Sequence, residues 1–181
     1  MSTWNAAGFV RRLAEARIGA TFNFYAAGVG AEMRRARLTE YLEARRAAPI
    51  LLVGEAAGYR GTRMSGLPFT SERQLTGSGP AEATATIVQR VLAELGVADD
   101  VLLWNVVPLH PHRPGVPGSN RPPTRAETAA GLPFARELAA GRRVFAVGRL
   151  AERALGSPSV RHPSHGGATA FRAGLMGLLD V

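Results

Sequence analysis

Three short apolar runs set the terms for any fold this chain can adopt: ILLV at residues 50–53, VLLWNVV at 101–107 and RRVFAVG at 142–148. Their apolar residues follow one another without polar alternation, so each reads as a strand buried on both faces rather than one with a wet side. The segments between them carry helical signals and are long enough to cross back over a sheet. Strand, loop and helix therefore alternate, a pattern that builds a parallel sheet with helices on both faces. With a brief fourth strand near Val160, the expected architecture is α/β: a three-layer α/β/α sandwich around a short four-stranded parallel sheet.

Residues 6–47 are rich in Ala, Arg, Leu and Glu and broken near Gly19, Gly28 and Gly30, which predicts two extra N-terminal helices joined by Phe22, Phe24 and Tyr25. Glu32, Arg35, Thr39, Glu43 and Arg46 recur at helical spacing and read as a solvated face, with Arg34, Arg35 and Arg37 as surface charges. The whole chain, 1–181, is read as one domain, with 1–47 a helical extension packed on it. Residues 56–70 form a glycine-rich loop after the first strand. Pro80 opens a helix through about Leu95, stopped by Gly96. A further helix starts near Thr124, where Glu127 three residues on completes a capping box. A short helix ends at Leu155, and a last one spans about 168–179. In an open parallel sheet the ligand site lies beyond the carboxyl ends of the strands. Glu55, Asn105 and His162 all fall there.

Composition removes several chemistries. Cysteine is absent, which excludes disulfides, thiol catalysis and cysteine-held zinc or iron–sulfur centres. All 22 basic residues are arginine, so no side-chain amine exists to form a Schiff base with a sugar. The formal charge of +8 suits a polyanionic partner. No run approaches the roughly 18 apolar residues of a membrane span, and no leader pattern opens the chain. A cytoplasmic, nucleoid-associated monomer without cofactor or metal is expected.

Four segments stand in a telling order. Gly54-Glu55-Ala56-Ala57-Gly58 is followed by Gly66-Leu67-Pro68-Phe69, then by Trp104-Asn105-Val106-Val107 with Arg121-Pro122-Pro123 downstream, and finally by His162-Pro163-Ser164. Together, across roughly residues 49–175, they resemble the motif set of uracil-DNA glycosylases, closest to the bacterial branch whose first motif reads Gly-Glu-Ala-Pro-Gly. The resemblance implies a DNA partner and hydrolysis of the bond between an extruded base and its sugar. Such an enzyme must turn the base out of the stack, place it on an aromatic ring and read its pairing edge. Phe69 would supply the ring. The Asn105 carboxamide offers a donor and an acceptor for the O4 and N3–H edge of uracil. His162 would stabilise charge on the leaving base, and Glu55 would offset positive charge on the sugar or orient water. Gly54, Ala56, Gly58 and Tyr59 would line the base pocket. Pro163, Ser164, His165, Arg121 and Arg113 would contact the DNA backbone, with amides of residues 56–61 as further donors.

The chain also departs from that pattern. Ala56 stands where the best-known branch has its activating aspartate, and Ala57 replaces the usual proline. The iron–sulfur cysteines of the glutamate branch are missing. Gly58 occupies the place of a tyrosine that excludes thymine in another branch, with Tyr59 one residue later. His165-Gly166-Gly167 provides no large apolar wedge, so single-stranded or mismatched substrates are expected. Two other readings remain open on sequence grounds. One is a metal-dependent hydrolase built on His110, His112, His162 and Glu55. The other is a relative that binds DNA and has lost turnover.

Overall fold

The computed structural model describes residues 4–179. The described chain enters through helix α1 (Ala6–Glu15) and a two-residue strand β1 (Thr21–Phe22), then α2 (Ala31–Ala44), before the first long strand, β2 (Ile50–Ala56). Short helices α3 (Thr62–Ser65) and α4 (Glu72–Thr76) precede α5 (Ala83–Glu94) and β3 (Val101–Val107). Strand β4 (His110–Pro111), α6 (Arg125–Ala139), β5 (Arg143–Val147), α7 (Arg149–Leu155), β6 (Ser159–Val160) and α8 (Ala168–Leu179) follow.

The main sheet has the order β3-β2-β5-β6 and every pairing in it is parallel. The expected α/β/α architecture is therefore the one observed. Burial on both faces explains the continuous apolar runs: all seven residues of β3 are buried. Because side chains alternate across a strand, the sheet separates two cores. Leu51, Val53, Leu102 and Trp104 face one side, packed with α1, α2, α6 and α7. Ile50, Leu52, Val101 and Leu103 face the other, with Phe69 and the apolar faces of α5 and α8. Phe9 of α1 meets Trp104 edge to face at 5.4 Å, which ties the first helix to the central layer. The capping box of α6 forms as expected, with Thr124 and Glu127 exchanging hydrogen bonds.

Four local features differ from the sequence reading. Helix α5 starts at Ala83 rather than Pro80; Glu82 keeps extended backbone while its N–H donates to Ser71 Oγ at 2.9 Å. Helix α4 was not anticipated, although Ser71 and Gln74 form a capping box of the same kind as Thr124 and Glu127. Strand β4 pairs antiparallel with β1, matching Phe22 to His110 across a sequence separation no local pattern reveals. The α2 arginines are structural rather than surface charges. Arg34 is 9% exposed and donates to the carbonyls of Phe24 and Met64, Arg35 donates to Tyr25 O, and Arg37 forms paired bonds to Glu72 at 2.8 and 3.0 Å.

Candidate active site

At the carboxyl ends of β2 and β3, Gly54 and Asn105 lie side by side in register. Both belong to the sheet face covered by α5 and α8, since Leu52 and Leu103, two residues earlier, pack there. Phe69 reaches the same point from the loop after α3. A methyl group on Gly54 would overlap the edge of the Phe69 ring and lie 2.8 Å from Asn105 Oδ1. Ring and carboxamide thus converge on one backbone position, which only glycine leaves open. Asn105 is 4% exposed, yet among the described residues its carboxamide has no hydrogen-bond partner. Its donor and acceptor are therefore open to a group that enters beside the ring.

Phe69 is held in place at some cost. Its φ of 49° lies in the left-handed region, which is strained for a bulky residue. The segment around it is pinned from several sides. Gln89 of α5 donates to Phe69 O and Thr70 Oγ1, Ser65 Oγ donates to Thr70 O at 2.6 Å, and the buried Tyr25 hydroxyl donates to Gly66 O at 2.8 Å.

Outside this point opens a cavity of about 500 Å³. The exit of β2 lines it with Glu55, Ala56, Ala57 and Gly58; Glu82, just before α5, and Thr84 of α5 join them, and the rest of the wall includes Asn120, Arg121, His162, Ser164 and His165. Phe69 and Asn105 stand at the neighbouring Gly54 and do not line this outer space themselves. His162 also borders a second cavity of about 450 Å³, shared with Arg149 and Arg161.

The His162 imidazole has a defined form. The Ser164 backbone N–H points at Nδ1 at 3.2 Å and can only donate, so Nδ1 accepts and the proton of the neutral ring sits on Nε2. Ser164 Oγ lies 2.8 Å from the same Nδ1. Burial, reinforced by His165, holds the ring below its ordinary pKa, so it is neutral at pH 7. Glu55 is pushed up by burial and drawn back by Arg153, which follows from its place in β2: it faces the α7 side of the sheet, opposite to Gly54. Glu82 is likewise pushed up by burial, with no opposing charge.

Several residues singled out in the sequence also have partners within the fold. Arg121 is occupied by Glu127: its Nη1 and Nη2 reach the two carboxylate oxygens at 2.7 and 2.6 Å, while Nε donates to His112 O. From the cavity wall it braces the proline-rich loop. Tyr59 turns away from the cavity, its ring under Arg63 at 4.7 Å and 5.8 Å from His110. Arg113 is exposed on the 112–119 loop and does not line the cavity. Pro163 is buried between the half-buried His162 and Ser164. The amides of Ala57 and Tyr59 are taken by Val107 O and Asn120 Oδ1. Among the described residues no group of three or more His, Cys, Asp or Glu side chains is arranged to hold a metal. No helix there is long and apolar enough to cross a membrane. Glu82 was missed, because a lone acid before a helix carries no motif.

Two buried groups set an acid limit on stability. His110 is fully buried and held at about 4 mainly by burial, so the unfolded chain binds a proton between pH 6.5 and 4 that the folded one does not. Glu127 is held at about 2, chiefly by Arg121, against an ordinary 4.5. Its contribution is complete above pH 4.5 and is lost as pH falls toward 2. Unfolding midpoints in urea should accordingly fall in two stages, first below pH 6.5 and again below 4.5; a His110→Asn protein should show a smaller first stage, the remainder coming from His162.

The Uracil DNA glycosylase superfamily model matches residues 42–174. Among solved structures, the crystal structure of wild-type SMUG2 from Pedobacter heparinus superposes with a TM-score of 0.68 at 14% sequence identity, covering 99% of this chain and 100% of that one. That likeness concerns the fold. No curated protein matches the sequence. A family match over most of the chain, on a sheet whose strand ends bring Gly54, Phe69, Asn105 and His162 to one edge, settles the affiliation: the protein belongs to the uracil DNA glycosylase superfamily, a family of DNA glycosylases.

Proposed function

We propose that this protein is a monofunctional glycosylase that hydrolyses the N-glycosidic bond of uracil or a related deaminated base in single-stranded or mismatched DNA. The observation that carries this reading is the unpartnered Asn105 carboxamide facing the Phe69 ring across Gly54. A base seated on that ring would satisfy the amide through its pairing edge. His162 stands at the mouth with Nε2–H available, the donor a departing base anion requires at its carbonyl oxygen. Ser164 and His165, beside it, contact the backbone of the extruded nucleotide. Glu55 adds negative potential at the cavity wall, which favours positive charge on the sugar.

The test is release of free base by the purified protein from uracil, hypoxanthine and xanthine oligonucleotides, single-stranded and mismatched. His162→Ala and Asn105→Ala should each slow release by about a hundredfold while oligonucleotide affinity is retained. Because the chain has no lysine, the product should be an intact abasic site rather than a nicked strand. Ala56 and the missing wedge favour a second reading, a protein that binds damaged DNA without turning it over. Tight binding with no abasic product across the panel would establish it.

A further inference from the structure

Glu82 lies outside every motif in the sequence, yet its carboxylate is lodged in the cavity wall. Its Oε2 sits 2.5 Å from where a Cβ on Gly58 would be and overlaps the corresponding position on Gly61, so both glycines are small because this carboxylate occupies their side-chain space. The residue immediately precedes α5, where an acidic side chain has inexpensive partners in the free N–H groups of the first helical turn. Glu82 forgoes them: it makes no capping bond, and among the described residues its carboxylate has neither a hydrogen bond nor an ion pair. A half-buried carboxylate without a protein partner, on the wall of a cavity, is free to accept from a group that enters it.

Position indicates which donor. Helix α5 covers the same sheet face as Gly54, Phe69 and Asn105, and Ser71 Oγ, two residues from Phe69, anchors the Glu82 backbone. Glu82 shares the outer cavity with His162 and Ser164, whereas Phe69 and Asn105 lie inside it at Gly54. With the base on the inner groups and the backbone at Ser164, the sugar falls in the space that Glu82 borders. Glu55, the other acid on this cavity, points to the opposite sheet face and is drawn toward Arg153.

We propose, resting on the glycosylase reading above, that Glu82 is the catalytic carboxylate that orients and deprotonates the attacking water. The water oxygen bonds to C1′ as the C1′–N bond breaks and its electron pair leaves on the base. The water proton passes to Glu82, and the base anion, held by His162 Nε2–H, is neutralised by a proton from solvent while Glu82 returns its own. Burial without an opposing cation keeps this carboxylate more basic than an exposed one. The other ionisable groups on the cavity are Glu55, Arg121, His162 and His165.

Single-turnover base release from a uracil-containing single-stranded oligonucleotide, with the full chain in excess, tests this. Glu82→Gln keeps the side chain's shape and should lower the rate about a hundredfold. Its affinity for an uncleavable 2′-fluoro analogue should stay within twofold, and the acid limb of the pH–rate profile should disappear. Glu82→Asp should recover part of the rate, and added formate should restore part of it to Glu82→Ala; the same two readouts decide the matter if Glu82→Gln does not fold. Three results would overturn the assignment while leaving the glycosylase reading intact: a Glu82→Gln rate within threefold of wild type, a loss of affinity matching the loss of rate, or the full loss appearing in Glu55→Gln instead. A wild-type protein that releases no base from any substrate would overturn both.

Discussion

Gly54→Ala should lower base release by about a thousandfold, the largest single effect expected at this site. The added methyl would overlap the Phe69 ring and sit 2.8 Å from Asn105 Oδ1. Neither neighbour can give way easily. Phe69 is already strained at φ 49° and bracketed by bonds from Gln89 and between Ser65 and Thr70, and Asn105 is fixed near the end of β3 by its parallel register with Gly54 of β2. One carbon therefore displaces both the stacking ring and the reading amide, and a misplacement of about 1 Å at either costs on the order of a hundredfold. Overpacking should cost only about 1–3 kcal/mol of stability. Rate measurements beside a melting curve separate the two: a folded Gly54→Ala protein with near wild-type release would show that the base does not sit at this point.

Glu127→Ala should be the most destabilising substitution away from the cavity, at about 3–5 kcal/mol. Glu127 is 2% exposed and gathers Arg121, the Thr124 N–H and the Ala20 N–H around one carboxylate. Removing it takes the counter-charge from the Arg121 guanidinium and the acceptor from two backbone donors, and it detaches the β1 approach from the proline-rich loop at once. For a chain of this length the melting temperature should fall by roughly 10 °C or more. Glu127→Gln, which keeps the bulk and one acceptor, should cost less. Equal stability of Glu127→Ala and wild type in urea titrations would mean that the pair only decorates the surface.

The parallel sheet, its buried strands, the α6 cap and the four motif segments were all legible in the sequence. Each depends on residues close together in the chain: an uninterrupted apolar run, a Thr with Glu three positions on, a short string such as residues 162–164. The placement of Asn105 at a strand end was legible for the same reason. The Arg121–Glu127 pair was not legible, because a free arginine and a paired one look alike in sequence; the partner is only six residues away, but the pairing depends on how the loop folds back. Arg34 looked like part of a solvated face until the segments bearing Phe24 and Met64 closed over it.

Local chemistry alone thus dictated the layers and the order in which candidate groups reach the sheet's edge, because strand burial and helix caps are written within a few residues of themselves. Which of those groups share a cavity was decided by tertiary packing. Glu82 shares a cavity with His162 across 80 residues of chain only because the segment before α5 and the loop before α8 reach the same end of the sheet. Such meetings depend on where crossovers return in space, a property of the assembled layers that no stretch of sequence contains.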